Sequence, residues 1–207
     1  MNEQFFKLPE EKQLRIINAA LEVFSQNEYK RAVTDDIALK AGISKGLLFY
    51  YFHNKKSLYL FLFDYSTNKI KEQILDQHFS EIKDFFELLE YAAKSKVQIL
   101  AKTPYLLDFV VRSFYSQKEE ISEDLNILMQ NATSSSFTDY FQNVDFSKFK
   151  DSVNPKEIYH MLIWMTDGYM HERRNKGLSI DLEEIMKKCK RWSTLLRQVS
   201  YKEEFLS

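Results

Sequence analysis

VTDDIALKAGISKGLLFYYFHNKKSL, running from Val33 to Leu58, contains two short helical patterns joined by a tight turn. Thr34 can cap a helix whose first turn carries Asp35 and Asp36, where the helix dipole favours acids. Ile37, Ala38 and Ala41 recur at helical spacing, and Gly42 supplies a C-terminal stop. Ser44 then caps a second helix, from Lys45 to about Phe52. Leu48 and Phe52, four apart, share its inner face with Ile43 at its start, and Lys45, Gly46, Phe49 and Tyr50 fall on the outer one. A short helix that is apolar inside and carries Lys, Gly and aromatic hydroxyls outside has the character of a DNA recognition helix.

Within that stretch, TDDIALKAGISKGLLFYYFHNKKSL resembles the DNA-binding signature of TetR-family transcriptional regulators. The shared features are the Thr, the Ile-Ala and Ala-Gly pairs, Ser-Lys-Gly, an aromatic cluster ending in Phe, and a Lys opening the next helix. The preceding LRIINAALEVFSQNEYKRAV is similar to the family's first helix. The resemblance covers about residues 10 to 60, and beyond it only an all-helical layout matches. It implies an all-α fold: a helix-turn-helix DNA-binding domain over residues 1–54 and a larger helical ligand-binding and dimerisation domain over 55–207. By the same resemblance Thr34, Ser44, Lys45, Gly46, Tyr50, Tyr51 and Lys55 take DNA-contact positions. Two departures bear on base preference: Phe49 stands where Tyr is common, and Leu47 where a small or polar residue is common. Tyr50 and Tyr51 are adjacent, so at most one of them points fully inward.

The 207-residue chain has material for a substantial core. With 4 Gly and 3 Pro it favours long helices. The net charge of −1 argues against nucleic acid only until its distribution is considered. Up to position 56 there are nine basic and seven acidic residues, which leaves twenty against twenty-three for the rest. Screening limits each charge to about 10 Å, so local charge decides phosphate contact. Cys189 is the single cysteine, which fits a reducing cytoplasm. No apolar run is long enough for a membrane span.

The first helix is expected from Pro9 to about Gln26, with Ile16, Ile17, Ala20, Leu21 and Phe24 inward. Another begins after Asn54 and reaches about Gln77. Further helices are expected over 82–102, stopping before Pro104, with Phe85, Phe86, Leu89, Ala93, Val97 and Leu100 inward; then over 105–114 and over 119–142. A loop ends at Pro155. The run from Ile158 to Met170 is apolar nearly all round and needs partners on more than one side. The last helix, about 181–200, spaces Ile185, Cys189, Trp192, Leu196 and Val199 by four and three. These last two helices suit a homodimer interface built from Ile158, Met161, Leu162, Met165, Ile185, Cys189, Trp192, Leu196 and Val199.

Most of the 17 Phe, 12 Tyr and 6 Met lie beyond residue 57, enough to line a cavity for a lipophilic effector. Phe109, Phe137, Trp164 and Met165 are the candidate lining, and Arg112 is a candidate for orienting an anionic group. His53, His78, His160 and His171 are too dispersed for a metal site. No phosphate loop, Cys-x-x-Cys or nucleophile elbow occurs, so neither an enzyme nor a cofactor is expected. The resulting expectation is a cytoplasmic homodimeric regulator, a repressor released from palindromic operator DNA by a small lipophilic molecule. The competing reading is a helical lipid-binding or protein-interaction protein whose helix-turn-helix is only a packing unit.

Overall fold

The computed structural model describes residues 3–103, 105–114, 120–178 and 181–206, side chains of 114 and 132–136 apart. These residues form ten α-helices and three short 3-10 turns, with the antiparallel bridge Phe149–Tyr201 as their one β pairing. The chain divides into two compact units, residues 1–71 with 99–132 and residues 72–98 with 133–207.

The first unit begins with a 3-10 turn, Glu3–Phe5, followed by α1 (Glu10–Gln26), α2 (Thr34–Ala41) and α3 (Lys45–Phe52). All five residues expected on the inner stripe of α1 are buried. Arg15 Nε donates to the Ala41 carbonyl at 2.9 Å, tying α1 to the end of α2. Phe5 is fully buried against Phe52 and Phe61, with ring centroids 4.8 and 5.5 Å away. α4 (Lys55–Ile74) starts where Asn54 Oδ1 accepts from the Ser57 amide at 2.7 Å. The unit also takes in the end of α6 (Phe85–Lys102), α7 (Leu106–Phe114) and the first half of α8 (Ser122–Phe141). Pro104, expected as a helix stop, lies outside the described residues.

α7 is fastened to α1 and α4 by polar as well as apolar bonds. Tyr59 packs edge-on to Phe24 at 4.8 Å and tilts on Phe109 at 5.0 Å. The Tyr59 hydroxyl meets Ser113 Oγ at 3.0 Å, and Arg112 Nε donates to the Ser25 carbonyl at 2.9 Å. Phe109 is therefore a core residue of this unit, and Arg112 is a staple to α1 rather than an anion anchor.

The second unit holds α5 (Gln77–Glu81), most of α6, the end of α8, α9 (Pro155–Asn175) and α10 (Leu182–Ser200). α5 is five residues long and fixed by Asp76, whose Oδ1 accepts from the Phe79 amide at 2.8 Å. The core is aromatic: Phe85 stacks on Phe141 at 4.5 Å, and Phe149 meets Tyr201 at 4.9 Å. α9 begins with Pro155 under an Asn154 cap, and α10 under an Asp181 cap.

The buried face of α6 differs from the expected one. Leu88, Ala92 and Ile99 are buried, whereas Leu89, Ala93 and Val97 are only half-buried. The helix is thus turned by roughly half the angle between successive residues. At its start, buried Asp84 accepts from the Phe86 amide at 3.0 Å and pairs with Lys148 at 2.8 Å and Arg197 at 3.7 Å.

Burial pushes the Asp84 carboxyl up, but the bonds from Lys148 and the Glu87 amide, with Arg197 beside it, more than offset this and leave its pKa lowered. A carboxyl depressed in the folded state adds stability above its unfolded pKa of about 3.9, and loses it as pH falls through the folded value. Asp84→Asn is therefore expected to cost about 1–3 kcal/mol at neutrality and to flatten the acid limb of the stability curve. Urea melts from neutrality down to about pH 2 check this; an unchanged acid limb contradicts it.

Candidate nucleic-acid interface

The turn between α2 and α3 is built by Gly42, at φ 64° and ψ 39°. Its amide bonds back to Leu39 at 3.1 Å and the Ile43 amide to Ala38 at 3.0 Å, the paired closure of a left-handed helix end. A β-carbon at Gly42 would meet nothing within 4 Å, so the requirement is conformational. Gly42→Ala is expected to cost about 1–2 kcal/mol, read as a lowered melting temperature. Ser44 follows in extended backbone, and its Oγ accepts from the Leu47 amide at 3.1 Å.

Thr34 does not cap α2. It is already the first helical residue, Val33 occupies the extended cap position, and no side chain closes that end. The Thr34 hydroxyl is therefore not committed to a cap. Leu48 and Phe52 are fully buried, which fixes the rotation of α3. Ser44, Lys45, Gly46 and Tyr50 are exposed on its other side, and Phe49 is half-buried. A β-carbon at Gly46 would reach only Ser44 Oγ, at 4.0 Å. Nothing inside the protein demands glycine there; what its absence of a side chain opens is the outer surface.

Tyr50 is 52 % exposed and Tyr51 5 %, with the Tyr51 ring against Phe5. Tyr51 therefore belongs to the core side of the helix. Lys55 also departs from the outward position expected of it. Its Nζ donates to the Ala32 and Lys30 carbonyls at 3.0 and 3.3 Å and lies 4.7 Å from the centre of the Tyr29 ring. Between α3 and α4, His53 has φ 63° and the Asn54 amide closes onto the Phe52 carbonyl at 2.7 Å. That γ-turn is strained for a residue with a side chain.

Two exposed cations beside the turn are paired within the protein. Lys45 meets Asp35 at 2.8 Å, and Lys40 meets Glu22 at 2.7 Å, a bond that raises the Lys40 pKa. Lys45 and Asp35 are 51 and 60 % exposed, so their attraction is weak and exchangeable. A phosphate or a guanine edge can take Lys45 over at little cost.

Residues 16–61 match the family described as bacterial regulatory proteins, tetR family. Residues 16–61 thus carry a tetR-family DNA-binding segment. Over 63 residues it is 33% identical to the fatty acid metabolism regulator protein of Bacillus subtilis (strain 168), a match spanning 30% of this chain and 32% of that one. The chain thus matches about a third of that curated relative's length. Among solved structures, the transcriptional regulator FadR from Bacillus subtilis in complex with stearoyl-CoA is similar at TM-score 0.66 and 20% identity, over 87% of this chain and 96% of that one. SmeT, the repressor of the Stenotrophomonas maltophilia multidrug efflux pump SmeDEF, is similar at TM-score 0.66 and 14% identity, over 96% and 93%. These structural likenesses establish the TetR all-helical fold, while the residue match rests on the helix-turn-helix.

The residues proposed for the effector fall in different places. Phe109 and Arg112 are in the first unit; Phe137, Trp164 and Met165 are in the second. Phe137 is half-buried near Tyr159, with ring centroids 5.6 Å apart. Trp164 is 67 % exposed, so it lines no interior of its unit. Instead it forms an outer stripe on α9 with Met161 and Gly168, all exposed. On α10, Leu195 and Val199 are 52 and 61 % exposed. Leu195 and Trp164 were not among the residues expected at an interface. Ile158 and Leu162 are buried within the unit, and Met165, Ile185, Trp192 and Leu196 are half-buried. Cys189 also looks inward, its Sγ 3.6 Å from Thr166 Oγ1, and burial pushes its thiol pKa up.

Among the described residues no cluster of three or more His, Cys, Asp or Glu could hold a metal, and no helix is long and apolar enough to cross a membrane.

Proposed function

We propose that this TetR-family chain is a cytoplasmic homodimeric repressor that reads a two-fold operator with α3 and is released by a small lipophilic effector. The observation that carries the reading is the outer face of α3: Ser44, Lys45, Gly46 and Tyr50 exposed together on a helix whose rotation is fixed by buried Leu48 and Phe52. Residues 1–54 act as the reading head, and residues 55–207 bind effector and dimerise. Ser44 and Thr34, near helix N-termini, supply phosphate contacts. Lys45 and Tyr50 supply polar contacts to bases or backbone, and Gly46 permits close approach. Lys55 steadies the turn below the head, and Tyr51 packs behind it.

The dimer is formed through Met161, Trp164, Gly168, Leu195 and Val199, because that much exposed apolar surface on two adjacent helices favours burial against a second copy. The FadR likeness supports a fatty-acyl effector, since that relative was crystallised with stearoyl-CoA. An effector releases the operator only by binding the non-DNA conformation better. The test is titration of the purified protein against the duplex upstream of its own gene, with scrambled duplex as competitor. Selective binding that a fatty-acyl compound reverses supports the proposal. Equal binding to both duplexes contradicts self-regulation.

A further inference from the structure

Among the described residues, His53 and Tyr105 hold a left-handed φ despite carrying side chains, and His53 stands where α3 meets α4. The turn there is imposed from both sides. Phe52 ends α3 fully buried, Leu58 is buried near the start of α4, and only His53 and Asn54 lie between the two helices. The Asn54 amide closes the turn onto the Phe52 carbonyl at 2.7 Å. At Gly42, the other left-handed position before α4, the chain uses glycine, which takes such a backbone without strain. His53 takes φ 63° and ψ −50° with its side chain in place.

Nothing inside the protein accounts for that side chain. Among the described residues the imidazole makes no hydrogen bond, ion pair or ring contact, and His53 is exposed. Glycine would lose no internal contact and would remove the strain. Strained residues cluster where function uses them, which directs attention to the surface that His53 shares. Its amide still donates to the Phe49 carbonyl at 2.7 Å, so its α-carbon lies at the end of the helical path of α3. Gly46, Tyr50 and His53 follow one another by four and three, the spacing of one helical face, and all three are exposed. α4 presents the positive end of its dipole beside the turn, and its first turn carries no acid.

We infer that His53 is kept in this turn to donate an imidazole N–H to a phosphate of the bound duplex, one helical turn beyond Tyr50. An imidazole has an N–H to give whether neutral or protonated, and the absence of acids in the first turn of α4 leaves a phosphate unopposed there. The inference rests on the regulator reading above and adds a contact to its interface that the strain of the turn, rather than the helix pattern, discloses.

Mobility-shift titrations of His53→Ala and His53→Gly, on an operator duplex enriched from random sequence and on a scrambled one, test the assignment together with thermal melts. Both variants are expected to bind each duplex at least about tenfold more weakly than the wild type, because each of two heads loses a hydrogen bond to a charged group. The factor is expected to be equal on the two duplexes, since a phosphate contact carries no sequence information. His53→Gly, relieved of strain, is expected to melt at or above the wild-type temperature and above His53→Ala. Unchanged binding in either variant, a loss confined to the operator duplex, or a clear fall in the melting temperature of His53→Gly overturns the inference. A wild type that enriches no duplex overturns the regulator reading and this inference with it. Selective wild-type binding beside unaffected variants overturns the inference alone.

Discussion

Lys45→Ala weakens operator binding by a factor of roughly 30 to 10⁴ while the protein folds as before. A good side-chain contact to a base edge is worth about 1–3 kcal/mol, and a two-fold dimer loses it twice. The stability cost is small because, among the described residues, Lys45 pairs with Asp35 alone, and both are more than half exposed. Such a pair contributes less than about 1 kcal/mol. Asp35→Asn is the matched control: it frees the ammonium and is expected to raise affinity modestly. Electrophoretic mobility shifts with both variants, alongside circular dichroism melts, read the two effects separately. Unchanged affinity in a normally helical Lys45→Ala protein would remove α3 from the interface.

Trp164→Glu is expected to convert the proposed dimer to monomer and to reduce operator affinity by about 10² to 10⁴, the gain that linking two heads provides. Trp164 is 67 % exposed in the single chain, so a glutamate there costs the monomer little. Across a two-fold interface the same substitution places two carboxylates in apolar surroundings without partners, at several kcal/mol each. Leu195→Glu on α10 is expected to act in the same direction. Sedimentation analysis at micromolar concentration distinguishes the outcomes. A Trp164→Glu protein that remains dimeric and binds operator normally would place the interface elsewhere.

The region around α3 was legible in the sequence because its determinants are local. Gly42 closes a helix with its own neighbours, Ser44 caps the next three residues on, and Leu48 with Phe52 fixes the rotation. What failed depended on distant partners. Lys55 was expected to face outward, but it bonds to carbonyls 23 and 25 residues away. Arg112 reaches a carbonyl 87 residues away. A long cation suited to a phosphate is equally suited to a backbone oxygen, and only the fold decides between them. Trp164 was misplaced for a related reason: an apolar residue follows the same helical spacing whether it fills a core or an outer stripe. On α6 the abundance of Phe and Leu on several sides hid the true inward face, which carries Leu88, Ala92 and Ile99. Five-residue α5 is too short for periodicity to reveal, and Phe5 entered the core from a segment with no pattern.

Selection from a pool of random duplexes, followed by footprinting of the enriched sequence, tests the central claim most directly. The account predicts a two-fold symmetric site that holds two protomers, with log affinity falling against log salt by about 0.9 per neutralised phosphate. No enriched sequence, or an enriched site without symmetry held by a single protomer, would contradict it.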